Sequence, residues 1–196
     1  MERSVLLVDP DAARQTRITH TLEGTNFHIA ATAGDSEGGL RLAAAMHPDV
    51  ALIGVALGNG AGMQVTERLP KEYSVPVVLL ASANLEPPSM TLAAHTGVMG
   101  YVFEPIQAAT LSATLEVAVC RFQELRALQQ ESETLRQTVE ARKLIERAKG
   151  LLMEVGRISE AEAYARIRRK SMDTQRPMAE IAHAILLSAE MSVKAR

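Results

Sequence analysis

Arg142, Lys143, Arg147, Lys149, Arg166, Arg168, Arg169 and Lys170 crowd one short stretch of the chain, interleaved with apolar residues. Side chains of this type hold phosphate oxygens, so the chemistry on offer is capture of a polyanion and not the making of bonds. Near the start, Asp9 and Asp11 follow an apolar run. Two carboxylates without a third make a weak cation site, and capping of a following helix is the competing role. His20, His28, His47, His95 and His183 are scattered and form no ligand pair at helical or turn spacing, so no metal is expected. The glycines of Leu57-Gly-Asn-Gly-Ala-Gly62 lack the lysine-serine ending of a phosphate loop. Cys120 is the one cysteine, which rules out an internal disulfide; a packing role is expected, with thiol reactivity as the alternative. No spacing supports a nucleophile with its base, so neither an enzyme nor a cofactor is expected.

The elements that must carry the basic residues read as three helices over 141–191. Leu144, Ala148, Leu151, Leu152 and Val155 recur at three- and four-residue intervals, an apolar stripe flanked by the first cations. Ser159 followed by Glu162 is a capping-box pattern, and Ala163, Tyr164 and Ile167 then give the second helix an inward face. Pro177 suits the first turn of a third helix, whose buried side would be Ile181, Ala182, Ile185 and Leu186. Helices this short must pack on one another to bury these faces.

Ala148-Lys-Gly-Leu-Leu-Met153, Glu160-Ala-Glu-Ala-Tyr164, Ile167-Arg-Arg-Lys-Ser-Met172 and Glu180-Ile-Ala182 together resemble the ANTAR domain of AmiR/NasR-type transcription antiterminators. Ser171 departs from the alanine usual in the family, with slightly weaker packing as the expected cost. The resemblance implies RNA binding. Tyr164 is expected in the core, with stacking on a base as the alternative.

Charge distribution agrees. Residues 136–196 hold 13 Lys and Arg against 8 Asp and Glu, whereas residues 1–135 hold 8 against 15. A basic tail on an acidic body fits phosphate attraction at one end, and an ordinary solvated helix face is the bland alternative.

Upstream, the runs Ser4–Asp9, Phe27–Ala33, Asp49–Val55, Val75–Ala81 and Val98–Phe103 alternate with helical stretches. Runs such as Val77–Leu80 show no polar alternation, as parallel strands covered on both faces require. The fold class is therefore α/β, a doubly wound five-stranded parallel sheet, over residues 1–120. Val5-Leu-Leu-Val-Asp9, Pro48–Ile53, Pro76–Leu80 and Gly100–Pro105 resemble the receiver domain of response regulators.

Carried over residue by residue, the resemblance puts Gly54 where the family has its phosphoacceptor aspartate. Pro10 takes the place of the second acidic residue after Asp9, with Asp11 one step late. Ala81, beside Ser82, stands at the hydroxyl position, and Glu104, before Pro105, at the lysine position. The expectation is a receiver fold without aspartyl phosphorylation, in which Tyr101 belongs to a fixed surface or a partner contact.

Residues 106–149 contain neither Pro nor Gly, enough for a helix of about 66 Å. Leu111, Leu115, Ala118, Phe122 and Leu125 keep a four-three rhythm that Leu128, Ser132, Leu135 and Val139 resume after one short interval. That stripe predicts a parallel coiled-coil homodimer over 106–140, and a helix folded back on its own domain is the alternative.

Together these readings predict an RNA-binding antitermination regulator, which the resemblance describes as a dimer engaging stem-loops in a nascent leader transcript. A ligand-sensing partner protein, as in AmiR and the NasT-like regulators, would control it. A dimeric DNA-binding regulator and a protein-interaction scaffold are the competing classes. No apolar run is long enough to cross a bilayer and no signal-peptide pattern opens the chain, which predicts a cytoplasmic protein.

Overall fold

The computed structural model describes residues 2–55, 61–81 and 97–194; side chains at 61, 63 and 190–194 are not described. Gly58, Gly60, Ser82 and His95 lie outside the described residues. The chain forms two compact units, Met1–Arg126 and Ala127–Arg196.

The first unit contains β1 (Arg3–Val8), α1 (Ala12–Leu22), β2 (Phe27–Ala33), α2 (Ser36–Met46), β3 (Val50–Gly54), α3 (Ala61–Glu72), β4 (Val77–Ala81) and β5 (Val98–Phe103). It also holds the start of α4 (Ala108–Gly156). The strands form one parallel sheet in the order β2-β1-β3-β4-β5, as the five apolar runs predict.

Neighbouring residues of one strand feed two different cores. Val5 and Leu7 join Ile18, Leu22, Leu52, Leu80, Leu111 and Leu115 on one face, while Leu6 and Val8 join Ala43, Ile53, Val65 and Leu69 on the other. Both faces are covered, which explains why the runs are continuously apolar.

Asp11 caps α1 and Asp35 caps α2, each accepting backbone amides through its side chain. Gly39 lets α2 lie tightly on β1: a Cβ there would stand 2.8 Å from Val8 Cγ2.

The second unit is built from the remainder of α4, α5 (Glu160–Thr174) and α6 (Met178–Lys194). Ala148, Ile167, Ile181 and Ala182 form its buried centre, with Leu144, Ile145, Leu152, Met178, Ile185 and Leu186 packed around them. The predicted stripe holds apart from its end, since Val155 is 75% exposed.

Half of the capping box forms: Ser159 Oγ accepts the Glu162 amide, whereas the Glu162 carboxylate turns to Arg166. Ser171 also has a polar role. Its hydroxyl donates to the Arg176 carbonyl, and Gln175, at φ +53°, takes the left-handed position that ends α5.

The seam prediction is corrected at four positions. Leu111, Leu115 and Ala118 belong to the first unit's core, Phe122 is buried as well, and none has a face left for a second chain. Every residue of α4 from 123 to 140 is exposed, and Leu125, Leu128, Leu135 and Val139 are the large apolar ones among them.

Candidate functional site

Each unit brings one set of predicted residues together. In the first, Gly54 ends β3 and Ala81 ends β4, while Asp9 and Glu104 directly follow β1 and β5, so all lie at the carboxyl edge of the parallel sheet. The sheet order reverses beside β1, and such an edge is where open α/β sheets gather their functional groups.

Asp9 is fully buried. Its Oδ1 accepts the Asp11 amide at 2.8 Å and its Oδ2 accepts Arg14 Nη1 at 3.1 Å. Arg14 continues the chain of charges: its Nε lies 3.2 Å from Glu104 Oε1, to which Arg17 Nη2 approaches within 3.6 Å. Gln15 ties the same corner together, Nε2 donating to the carbonyls of Asp9 and Ala33 at 2.7 and 3.1 Å.

Partial desolvation works against the Arg14 charge, but the Asp9 hydrogen bond and the Asp9 and Glu104 charges outweigh it and hold the guanidinium above its usual range. Asp11 is committed elsewhere. Its Oδ1 accepts the amides of Ala13 and Arg14 at 2.9 and 3.1 Å, and the bond from Arg14 is the main cause holding its carboxyl below the usual range.

Gly54 contributes no side chain, and the space is taken. A Cβ on it would overlap Asp9 Oδ2 and stand 2.8 Å from Asp9 Cγ.

A receiver fold implies a divalent cation at this edge, and these residues do not fit one. Gly54 offers no ligand, both Asp9 oxygens are engaged, and a guanidinium already sits against them. At an effective dielectric near 20, like unit charges about 4 Å apart repel by roughly 4 kcal/mol, and a divalent ion doubles that. Among the described residues no cluster of three or more His, Cys, Asp or Glu could hold a metal.

Arg14 escaped the sequence reading, though the signal was there. It occupies the first turn of α1, where a cation opposes the helix dipole and needs a compensating anion. Tyr101 stacks on Phe103 with ring centroids 6.5 Å apart, and burial pushes its phenol up.

In the second unit the eight basic residues fall into two classes. Arg142, Arg147, Arg168, Arg169 and Lys170 are exposed and, among the described residues, make no ion pair. Lys143 pairs with Glu140 at 2.7 Å and Arg166 with Glu162 at 2.9 Å, both at the surface.

Lys149 is the exception, only 7% exposed. Its Nζ donates to Glu160 at 2.6 Å and to both Glu146 oxygens at 2.9 and 3.0 Å. Those bonds, Glu160 first, push the ammonium above its usual range and hold the Glu160 carboxyl below its own. Lys149 is therefore corrected from a phosphate contact to the clasp between α4 and α5. Arg157, exposed at φ +49° just after α4, is a cation in no ion pair among the described residues, and the sequence reading passed over it. Tyr164 is corrected from core to surface at 44% exposure.

A model of the response regulator receiver domain matches residues 5–116, and a model of the ANTAR domain matches residues 133–186. The chain belongs to the ANTAR-type response regulators. This response regulator is 30% identical over 184 residues to the transcriptional regulatory protein PdtaR of Mycobacterium tuberculosis, an alignment covering 94% of this chain and 89% of that protein. It is 29% identical over 118 residues to the transcriptional regulatory protein AfsQ1 of Streptomyces coelicolor, covering 60% of this chain and 52% of the other.

Among solved structures, the receiver domain of a modulated diguanylate cyclase from Desulfovibrio desulfuricans matches with a TM-score of 0.58 at 22% identity, over 63% of this chain and 98% of that one. Vibrio cholerae chemotaxis protein CheY4 matches with a TM-score of 0.53 at 23% identity, over 60% and 99%. Likeness at these identities speaks of the receiver fold alone. No helix among the described residues is long and apolar enough to cross a membrane.

Proposed function

We propose that this response regulator binds RNA through its ANTAR unit and acts as a transcription antiterminator whose head works without aspartyl phosphorylation. The observation that carries the reading is the set of exposed cations Arg142, Arg147, Arg157, Arg168, Arg169 and Lys170 on one small bundle, none of them in an ion pair among the described residues. Cations already paired with carboxylates gain little from a phosphate, whereas unpaired ones release counterions and gain affinity. Unpaired loop bases of a leader stem-loop would be the readable part of the RNA, with these side chains holding its backbone.

The reading includes dimerisation through Leu125, Leu128, Leu135 and Val139. These residues are exposed on a helix span that has no core of its own, and a second copy would cover them. Two linked bundles would engage two hairpins of one transcript and raise affinity through effective concentration. Gly54, with no carboxylate to phosphorylate, leaves control to another agent, and a ligand-sensing partner protein is the form we favour.

The test is binding of the full-length protein to a leader-type RNA hairpin and to duplex DNA of matched length across a salt series. Preference for the hairpin, with a steep loss of affinity as salt rises, is the expected result. Preference for the duplex, or binding to neither, overturns the RNA reading. Stoichiometric labelling of the head by acetyl phosphate overturns the phosphorylation-independent part.

A further inference from the structure

We propose that Arg14 is the resident cation of the receiver head, a side chain standing where a phosphorylatable receiver would hold its divalent ion, so that the head holds one state whatever the metal supply. The proposal concerns the phosphorylation-independent half of the functional reading and needs nothing from the RNA half.

The geometry points to replacement and not to simple loss. Asp9 is fully buried, and a buried carboxylate without a partner is costly, so removal of a metal alone would leave the site unstable. Arg14 supplies the missing positive charge from α1. Its guanidinium meets Asp9 Oδ2 at 3.1 Å through one nitrogen and Glu104 Oε1 at 3.2 Å through another. It thereby joins the end of β1 to the residue after β5, hydrogen-bonded to Asp9 and held to Glu104 by charge alone, since its Nε is within ion-pair distance of Glu104 but makes no hydrogen bond.

Glu104 becomes intelligible in this light. A lysine at that position would repel the guanidinium, whereas a glutamate completes its neutralisation. Gly54 fits the same exchange, because Asp9, drawn into the ion pair, fills the space that a side chain at 54 would need. Arg14, Glu104 and Gly54 thus act as one compensated set around Asp9. A tethered guanidinium cannot diffuse away, so the site's occupancy does not depend on metal concentration.

The experiment titrates the full-length protein with Mn²⁺, followed by electron paramagnetic resonance, and measures Tm with and without millimolar Mg²⁺. The wild type is expected to show no saturable Mn²⁺ site in the head and no Tm response to Mg²⁺. Arg14→Gln is expected to lose several degrees of Tm, to recover part of that loss on addition of Mg²⁺, and to bind Mn²⁺ weakly, as two carboxylates without a third do, in a manner abolished by Asp9→Asn. Arg14→Lys, which keeps the charge, is expected to stay insensitive to metal.

Saturable Mn²⁺ binding by the wild type that Asp9→Asn removes would overturn the proposal. So would an Arg14→Gln protein that responds to metal no more than the wild type. If Arg14→Gln does not fold, the double variant Arg14→Gln/Asp9→Asn is expected to fold, because the unpaired buried carboxylate is gone; a double variant that also fails to fold would overturn the proposal. Failure of RNA binding leaves these outcomes untouched, and acetyl phosphate labelling reports separately on Gly54.

Discussion

The carboxylate of Asp9 stands where a side chain on Gly54 would have to go, with Asp9 Cγ only 2.8 Å from the Cβ that Gly54 lacks. Restoring an aspartate at position 54 therefore does not rebuild a phosphoacceptor. Gly54→Asp is expected to take no label from acetyl phosphate, and Gly54→Ala to lose about 1–3 kcal/mol in urea unfolding, the usual cost of forcing atoms into a filled site. An alanine variant as stable as the wild type would show that Asp9 yields freely.

Arg14→Ala removes the partner of a fully buried carboxylate and is expected to cost about 3 kcal/mol, since one-sided removal of a buried pair is strongly destabilising. Arg17, 61% exposed and 3.6 Å from Glu104, is expected to change stability within the error of the same measurement.

The two classes of basic residue separate by salt dependence. Arg168→Ala is expected to weaken hairpin binding and lower the slope of log K against log salt by about 1. Lys149→Ala is expected to leave that slope unchanged and lower the Tm of the ANTAR unit, because its charge is spent on Glu146 and Glu160.

That clasp also has a pH signature. The Glu160 carboxyl is depressed in the folded state, so its contribution is fully present above its ordinary value of 4.5 and is lost as pH falls through the lower folded value. Lys149 is raised, so its contribution holds below its ordinary value of 10.5 and is lost as pH rises through the folded one. Unfolding followed across pH is therefore expected to show two edges that Lys149→Met removes and a flat region between them.

Leu115 and Leu135 share the apolar rhythm of α4 but have opposite fates. Leu115→Ala is expected to destabilise the receiver unit by roughly 2–5 kcal/mol, as core truncations do, at any protein concentration. Leu135→Glu is expected to shift sedimentation toward the monomer and leave the receiver unit's unfolding unchanged.

The sheet was legible because two-sided burial leaves a direct trace, and Val77–Leu80 has no position free to be polar. The three short-range helix signals at Ser159, Pro177 and the Ala148 stripe were legible for a similar reason: each satisfies local backbone demands. Periodicity alone could not divide the apolar rhythm of α4, because Leu111 and Leu135 look alike until the strands opposite Leu111 are in place.

Lys149 was misread because a cation's sequence neighbours do not reveal that Glu160, eleven positions on, will face it. Arg14 was missed because Asp9, Glu104 and Gly54 meet only at the folded sheet edge.

The exposed span of α4, residues 123–140, has no core residue in it and is held in shape by its backbone hydrogen bonds and by surface pairs along the same helix, such as Gln137 with Glu133. In an isolated protomer its amide protons should exchange earliest and a protease should nick there first, while pairing would protect the same stretch. Oligomeric state would then be readable from one segment's solvent-exchange rate.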